Sequence, residues 1–234
     1  MLPEDAPGYI QFPDVSHTDS NGLLAQGGNL EAETLISAYQ QGVFPWFSDG
    51  QPILWWSPDP RMVLSTSAMK RSRSLRKTLR SDKFKVTCDQ AFSDVIQACS
   101  APRATADGTW ITEEMKQAYM RLHHLGYAHS IECWHQDKLV GGLYGIAIKT
   151  LFFGESMFSH TTDSSKVALS YLCDFLHSQG VQWIDCQVES EHLASLGACN
   201  IPRSVFINDI QLSLQLNNKI DWETFADSVK SNKL

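Results

Sequence analysis

The chain has 234 residues, of which 43% are hydrophobic and 10% aromatic, a composition that excludes a disordered protein. No apolar run approaches the length of a membrane span, and the N-terminus lacks the basic and apolar regions of a signal peptide. Six scattered cysteines form no C-x-x-C pair, which favours reduced thiols in a cytoplasmic protein over a disulfide framework. The net charge of −7 excludes a protein that binds nucleic acid over its whole surface.

The first 60 residues combine one helix with turns that are rich in proline and tryptophan. The pattern predicts a helix from Leu30 to Gln41, with Asn29 as its N-cap and Gly42 at its end. The aromatic and proline-rich segment that follows cannot form regular helix. We therefore predict a small N-terminal domain over residues 1–62 and a larger domain over residues 63–234.

A basic segment runs from Lys70 to Lys85, with eight basic residues and one acidic residue, so the remaining chain has a net charge of −14. The part from Ala68 to Arg80 predicts an amphipathic helix, on which four of the cations fall within an arc of roughly 80°. A solvated surface is one interpretation, and a phosphate-binding patch is the one we favour because no acidic residue is interleaved. The candidate phosphate ligands are Lys70, Arg73, Arg76, Lys77 and Arg80.

The rest of the chain alternates helices and strands. Asp89 and Thr112 are predicted to cap two helices. The later elements are strands over 128–134, 139–148, 150–153 and 181–188, helices over 164–177 and 191–196, and one or two strands over 205–216. This order predicts an α/β (α+β) fold with a mixed sheet, close to the layout of N-acyltransferases of the GNAT type. The glycine-rich pyrophosphate loop of an acetyl-CoA enzyme is missing, so no CoA cofactor is expected.

Two polar residues interrupt an otherwise apolar strand near residue 185. Because side chains alternate along a strand, Asp185 and Gln187 are predicted to project to the same side. A carboxylate and an amide aimed at one point suit proton handling or the capture of an amine. The alternative is an ordinary half-exposed strand with a polar outer face.

Sequence blocks spread over nearly the whole chain resemble the bacterial leucyl/phenylalanyl-tRNA–protein transferases. Each block alone is weak evidence, but their occurrence in order is specific. The blocks run over Asn21–Ala25, Ala38–Phe47, Ile53–Arg61, Gly108–Thr112, Ala128–Glu132, Leu139–Gly145, Phe153–Phe158, Asp185–Val188 and Ser195–Ala198.

The resemblance implies an enzyme that transfers Leu, Phe or Met from aminoacyl-tRNA to proteins that begin with Arg or Lys, which marks these proteins for N-end-rule degradation. It implies catalysis by Asp185 and Gln187 without metal or cofactor, the first electrostatic and the second orienting. It also implies that Trp46 and Trp110 stack on the terminal adenosine, and that Glu155, beside Gly154, faces the cationic acceptor. Leu143, Phe152 and Ile184 would line the pocket for the donor amino acid, and helix spacing adds Leu172 and Leu176.

Two other functions stay open at the level of sequence. One is a small-molecule N-acyltransferase of the same fold, and the other is a non-catalytic RNA-binding protein that uses the basic segment. The histidines at 123, 124 and 129 match no metal-ligand spacing, so no metal site is predicted. A monomer is expected, and replacement of Asp185 by Asn is expected to impair transfer while leaving folding nearly unaffected.

Overall fold

A computed structural model describes residues 10–101 and 111–231, which form two sheets. The small antiparallel sheet consists of β1 (Leu23–Gln26), β2 (Phe44–Pro45) and β3 (Leu54–Trp56), in the order β1-β3-β2. The second sheet has seven strands in the order β10-β4-β9-β8-β7-β6-β5. Its strands are β4 (Arg61–Ser65), β5 (Lys85–Cys88), β6 (Ala128–His135), β7 (Lys138–Ile148), β8 (Leu151–Ser159), β9 (Trp183–Gln187) and β10 (Cys199–Ile201).

Helices cover both faces of the large sheet and connect its strands. They are α1 (Ala32–Gln40), α2 (Arg73–Leu79), α3 (Phe92–Cys99), α4 (Glu113–His124), α5 (Ser164–Ser178), α6 (Glu191–Ser195), α7 (Arg203–Gln215) and α8 (Phe225–Ser231). Single 3-10 turns occur at Val15–His17 and Trp222–Thr224. In the described ranges no helix is both long and apolar enough to cross a bilayer. The mixed-sheet α+β architecture predicted from the sequence is confirmed.

Two hydrophobic cores lie on opposite faces of the seven-stranded sheet. One joins the N-terminal region, including α1, to α3, α4 and α7, and the other lies beneath α5 and α8. Between these cores, β8 and β9 run parallel and pair only at Phe152–Ile184 and Phe153–Asp185. Beyond this point β8 continues to Ser159 without pairing to β9, and the interruption leaves room for a cavity.

Several local predictions are confirmed and others are wrong. Thr112 caps α4 by accepting a hydrogen bond from the Met115 amide, as predicted. The strands predicted over 205–216 are instead part of α7, whose buried residues Phe206 and Ile210 are four positions apart. The β-branched residues of this segment suggested strand, but the helical spacing of its buried side chains decided the structure.

Two capping predictions and one helix boundary also need correction. The Asp89 side chain does not cap α3, because it accepts hydrogen bonds from the Ser130 amide and contacts His129 at 2.7 Å. The N-cap of α1 is Glu31, although Asn29 accepts from the Glu31 amide just before the helix. The basic helix begins only after Ser72, whose hydroxyl accepts from the Leu75 amide.

Candidate active site

A cavity of about 660 Å³ opens where β8 and β9 separate. Its walls come from β7, β8, β9, α5 and α6, together with the segment Phe44–Trp46 of the N-terminal region. Gly154 lies at the separation point, where an added Cβ atom would lie 3.3 Å from the Asp185 carbonyl oxygen. Glycine therefore allows the two strands to approach closely at the base of the cavity.

Part of the cavity is lined by apolar side chains. Four of the residues predicted to bind the donor amino acid form this apolar part: Leu143, Phe152, Leu172 and Ile184. All four side chains are buried. Leu176 is fully buried one helical turn after Leu172 but does not line the cavity, so it lies in the core beneath α5.

Asp185 also lines the cavity and forms a buried ion pair with Arg61. Arg61 Nε and Nη2 donate to the two carboxylate oxygens over 2.8 and 2.7 Å, and both side chains are at most 2% exposed. Arg61 also donates to the Gly42 carbonyl and lies between the rings of Phe44 and Phe206. Arg61 and Asp185 thus form a bidentate ion pair, in which the guanidinium balances the charge of the carboxylate.

Gln187 is held beside this pair by both its backbone and its side chain. Its amide N–H donates to Asp185 Oδ1 over 2.9 Å, and its φ of 65° lies in the left-handed region. Such a conformation is unfavourable for a residue other than glycine and often occurs at functional sites. The side-chain Nε2 donates to Glu155 Oε1 over 2.9 Å, so the amide has a fixed orientation at the cavity wall.

Glu155 is the third polar group of the site, partly exposed to the cavity. The hydroxyls of Tyr39 and Tyr119 donate to its two oxygens over 2.7 and 3.1 Å. Burial raises the pKa of Glu155 to about 7, opposed by hydrogen bonds from both tyrosines and Gln187 and reinforced by the negative charge of Asp185. A carboxyl group with this pKa changes its charge near neutral pH.

One of the two predicted adenosine-binding tryptophans, Trp46, lies within the described residues. Trp46 is 41% exposed and lines the cavity, with its ring centroid 5.8 Å from that of Trp56. Trp110 lies outside the described residues. The structure therefore places one exposed aromatic face at the cavity and leaves its role a prediction.

The basic stripe, defined as Lys70, Arg73, Arg76, Lys77 and Arg80, is exposed on and beside α2. The Lys70 amide donates to the Leu196 carbonyl next to α6, and the Thr78 hydroxyl lies 3.4 Å from Asp163 Oδ2. Because α6 and Asp163 both contribute to the cavity wall, the basic stripe runs beside the cavity.

Sequence reasoning gave no role to three residues that build the site: Arg61, Tyr39 and Tyr119. Arg61 and Tyr39 belong to the sequence blocks that carry the resemblance, which was the available signal. Tyr119 lies on α4, outside these blocks. Periodicity identifies a buried position but cannot indicate what its hydroxyl contacts across the fold.

In the ranges 10–101 and 111–231, no group of three or more His, Cys, Asp or Glu side chains is arranged to hold a metal ion. The polar residues of the cavity lining include Asp185, Gln187 and Glu155, together with Ser156, Ser159, Thr162, Asp163, Ser165, Lys166, Ser190 and His192. Asp185 and Gln187 are held in position by their hydrogen bonds with Arg61 and Glu155.

Comparison with known proteins identifies the family. The family model for the leucyl/phenylalanyl-tRNA protein transferase matches residues 63–211. The family model for the N-terminal domain of this transferase matches residues 28–59. The leucyl/phenylalanyl-tRNA–protein transferase of Ectopseudomonas mendocina (strain ymp) is 55% identical over 91% of this chain and 95% of its own. The protein of the same name from Saccharophagus degradans is 56% identical over 89% of this chain and 87% of its own. The present chain thus belongs to the leucyl/phenylalanyl-tRNA–protein transferase family.

Proposed function

We propose that this aminoacyltransferase moves Leu or Phe, and also Met, from aminoacyl-tRNA to the N-terminal amine of proteins that begin with Arg or Lys. The observation that carries the proposal is a single cavity lined both by buried apolar side chains and by Asp185, Gln187 and Glu155. The apolar side chains suit the donor residue, and the polar ones suit an amine next to a cationic residue. The added residue would mark the acceptor for N-end-rule degradation in the cytoplasm.

The donor amino acid would lie between the four apolar side chains of Leu143, Phe152, Leu172 and Ile184. All four side chains are buried and apolar, so they suit an apolar donor side chain and offer no counter-charge to a charged one. The exposed face of Trp46 would stack on the terminal adenosine, because aromatic rings bind bases with little sequence preference. Trp110 retains its predicted role beside the same adenosine.

The basic stripe would hold the acceptor stem of the tRNA. Its cations lie beside the cavity on an otherwise acidic protein, so they offer a local phosphate-binding surface. Contacts with the phosphate backbone carry no sequence information. Such binding suits an enzyme that must accept tRNAs for more than one amino acid.

The acceptor amine would lie between Gln187 and Glu155. Since Nε2 of Gln187 donates to Glu155, the amide Oε1 is the group available to accept a hydrogen bond from the incoming amine. The Glu155 carboxylate would pair with the cationic side chain of the first residue. Asp185 would act indirectly, because its hydrogen bonds with Arg61 and with the Gln187 backbone N–H hold the Gln187 backbone in position.

The reaction converts an ester into an amide without ATP, because the tRNA ester is already activated. The neutral amine nitrogen attacks the ester carbonyl carbon, the bond to the ribose oxygen breaks, and the proton of the amine passes to that oxygen. An α-amine has an ordinary pKa of about 8, so an appreciable fraction is neutral near pH 7. The main contribution of the site would be to hold the amine against the carbonyl in the correct orientation.

We also propose that the chain is a monomer with domains at residues 1–62 and 63–234. Support for the boundary comes from the two sheets, since the small sheet ends at Trp56 and the large sheet begins at Arg61. The two matching family models meet in the same region. Light scattering on the purified protein would measure the mass in solution.

A single assay separates this function from the alternatives. Radiolabelled leucyl-tRNA is mixed with a reporter protein that begins with Arg, with a matched reporter that begins with Glu as control. Transfer of label only to the Arg reporter supports the proposal. A small-molecule N-acyltransferase would label neither reporter, and an RNA-binding protein would retain the tRNA without transfer.

A further inference from the structure

The Tyr39, Tyr119 and Glu155 side chains form a closed triangle. The two hydroxyl oxygens lie 2.5 Å apart, and each is also within hydrogen-bond distance of a different Glu155 oxygen. Both tyrosines are 0% exposed, so water cannot replace a missing partner from the protein surface. Each of the three contacts therefore needs its own hydrogen.

The number of available hydrogens decides which protonation state of Glu155 allows all three hydrogen bonds. Burial raises the pKa of both tyrosines well above 10, so each phenol keeps its single hydrogen. An ionised Glu155 only accepts, which leaves two hydrogens for three contacts. A protonated Glu155 supplies the third hydrogen, and the ring is then closed with Tyr39 donating to Oε1 and Oε2–H donating to Tyr119.

Other polar groups around Glu155 come from β7, β9 and β4. Gln187 donates to Oε1, and Asp185 opposes ionisation although Arg61 neutralises much of its charge. Tyr144 packs edge-to-face on the Tyr119 ring, and among the described residues its buried hydroxyl has no hydrogen-bond partner. No cationic side chain within residues 10–101 and 111–231 forms an ion pair with Glu155, so a cationic ligand would compete with no ion pair from these ranges.

We propose that Tyr39 and Tyr119 are positioning residues for Glu155, and that this ring holds a proton that must leave before a cationic N-terminal residue binds. The proposal rests on the proposed function, in which Glu155 faces the acceptor. In the coupled step the Glu155 O–H bond breaks, the proton passes to solvent, and the carboxylate pairs with the guanidinium or ammonium group of the acceptor. Acceptor binding is therefore weak at acidic pH and accompanied by proton release near neutral pH.

The test measures binding of a short peptide with N-terminal Arg to the donor-free protein by calorimetry, over about pH 6 to 9. We expect the apparent Kd of the wild-type protein to rise as pH falls through about 7, and protons to be released on binding. Buffers with different ionisation enthalpies report the number released. A Kd independent of pH, with no proton release, would overturn the proposal.

Tyr39→Phe and Tyr119→Phe each open the ring, and the remaining phenol hydrogen then serves the one contact that is left to an ionised Glu155. The third hydrogen is no longer needed, so we expect the acidic rise in Kd to move to lower pH by about one unit. At pH 6 the Kd should decrease about 5-fold, with little change at the alkaline end. Tyr144→Phe is the matched control, since it removes a hydroxyl without a hydrogen-bond partner and should leave the pH profile in place.

A measurement on the wild-type protein covers the case in which a tyrosine variant fails to fold. Infrared difference spectra between wild type and Glu155→Gln should show a protonated carboxyl band below pH 7 that disappears when the Arg peptide binds. Its absence would contradict the proposal. If the protein neither binds the Arg peptide nor transfers leucine at any pH, the proposed function fails; if it does both with an unshifted profile in the tyrosine variants, only the present inference fails.

Discussion

The Arg61 guanidinium donates two hydrogen bonds of 2.8 and 2.7 Å to the Asp185 carboxylate, although the two residues are 124 positions apart in the sequence. The pair fastens β4 to β9 at the point where Gln187 departs from ordinary strand geometry. Asp185 Oδ1 also accepts a hydrogen bond from the Gln187 backbone N–H, so one carboxylate holds both the Arg61 side chain and the Gln187 backbone. The same residue therefore contributes to folding and to the shape of the site.

This arrangement changes the expected effect of Asp185→Asn. The substitution leaves a buried guanidinium without its counter-ion, which typically costs about 3–5 kcal/mol, in contrast with the undisturbed folding expected from sequence. We expect the melting temperature to fall by roughly 6–12 °C or more, as measured by circular dichroism. The exposed turn carboxylate in Asp49→Asn provides a matched control. A melting temperature equal to that of wild type would show that Arg61 finds another partner.

Glu155 makes stability depend on pH. Its folded pKa of about 7 lies above the ordinary value of 4.5, so between these values the folded state binds more protons than the unfolded state. Its contribution to stability is therefore present at low pH and is lost as pH rises from about 4.5 to 7, by at most about 3 kcal/mol. Urea unfolding across this range should show a flatter pH dependence for Glu155→Gln than for wild type. The exposed Glu114→Gln variant should keep the wild-type slope.

The basic stripe should control the salt dependence of donor binding. Neutral glutamine at its five positions removes phosphate contacts, and each lost contact should reduce the log–log slope of affinity against salt by roughly 0.7–0.9. The readout is the KM for leucyl-tRNA at several salt concentrations, with an aminoacyl-adenosine analogue as a donor that lacks the stem. Replacing Lys138 and Lys219, which are exposed elsewhere, is the control. An unchanged slope would identify the basic stripe as an ordinary solvated surface.

The apolar part of the cavity should determine which donors are accepted. Leu143→Ala enlarges it without adding polarity, so discrimination among apolar amino acids should change by roughly 10-fold or more while charged donors remain excluded. Competition among leucyl-, phenylalanyl- and methionyl-tRNA provides the measurement. Leu122→Ala opens space in the opposite core and serves as a control for lost stability. Equal donor preference in both variants would mean that the amino acid binds elsewhere.

Local features of the sequence predicted much of the secondary structure. Thr112 predicted the beginning of α4, because a capping interaction acts within a few residues. The same reasoning failed for α7, where local strand propensity was overridden by packing of Phe206 and Ile210 in the core. Sequence blocks carried the resemblance to the family, since they preserve order along the chain.

By itself, the sequence determined the family, the order of most elements and nine of the residues that line the cavity, Asp185 and Gln187 among them. Only the tertiary structure decided that Asp185 is paired with Arg61 and that Tyr39 and Tyr119 enclose Glu155. These contacts join residues 36 to 124 positions apart, and no periodicity spans such distances. Helix and strand patterns arise from neighbouring residues, whereas the charge and protonation of a buried group depend on whichever distant side chains the fold packs around it.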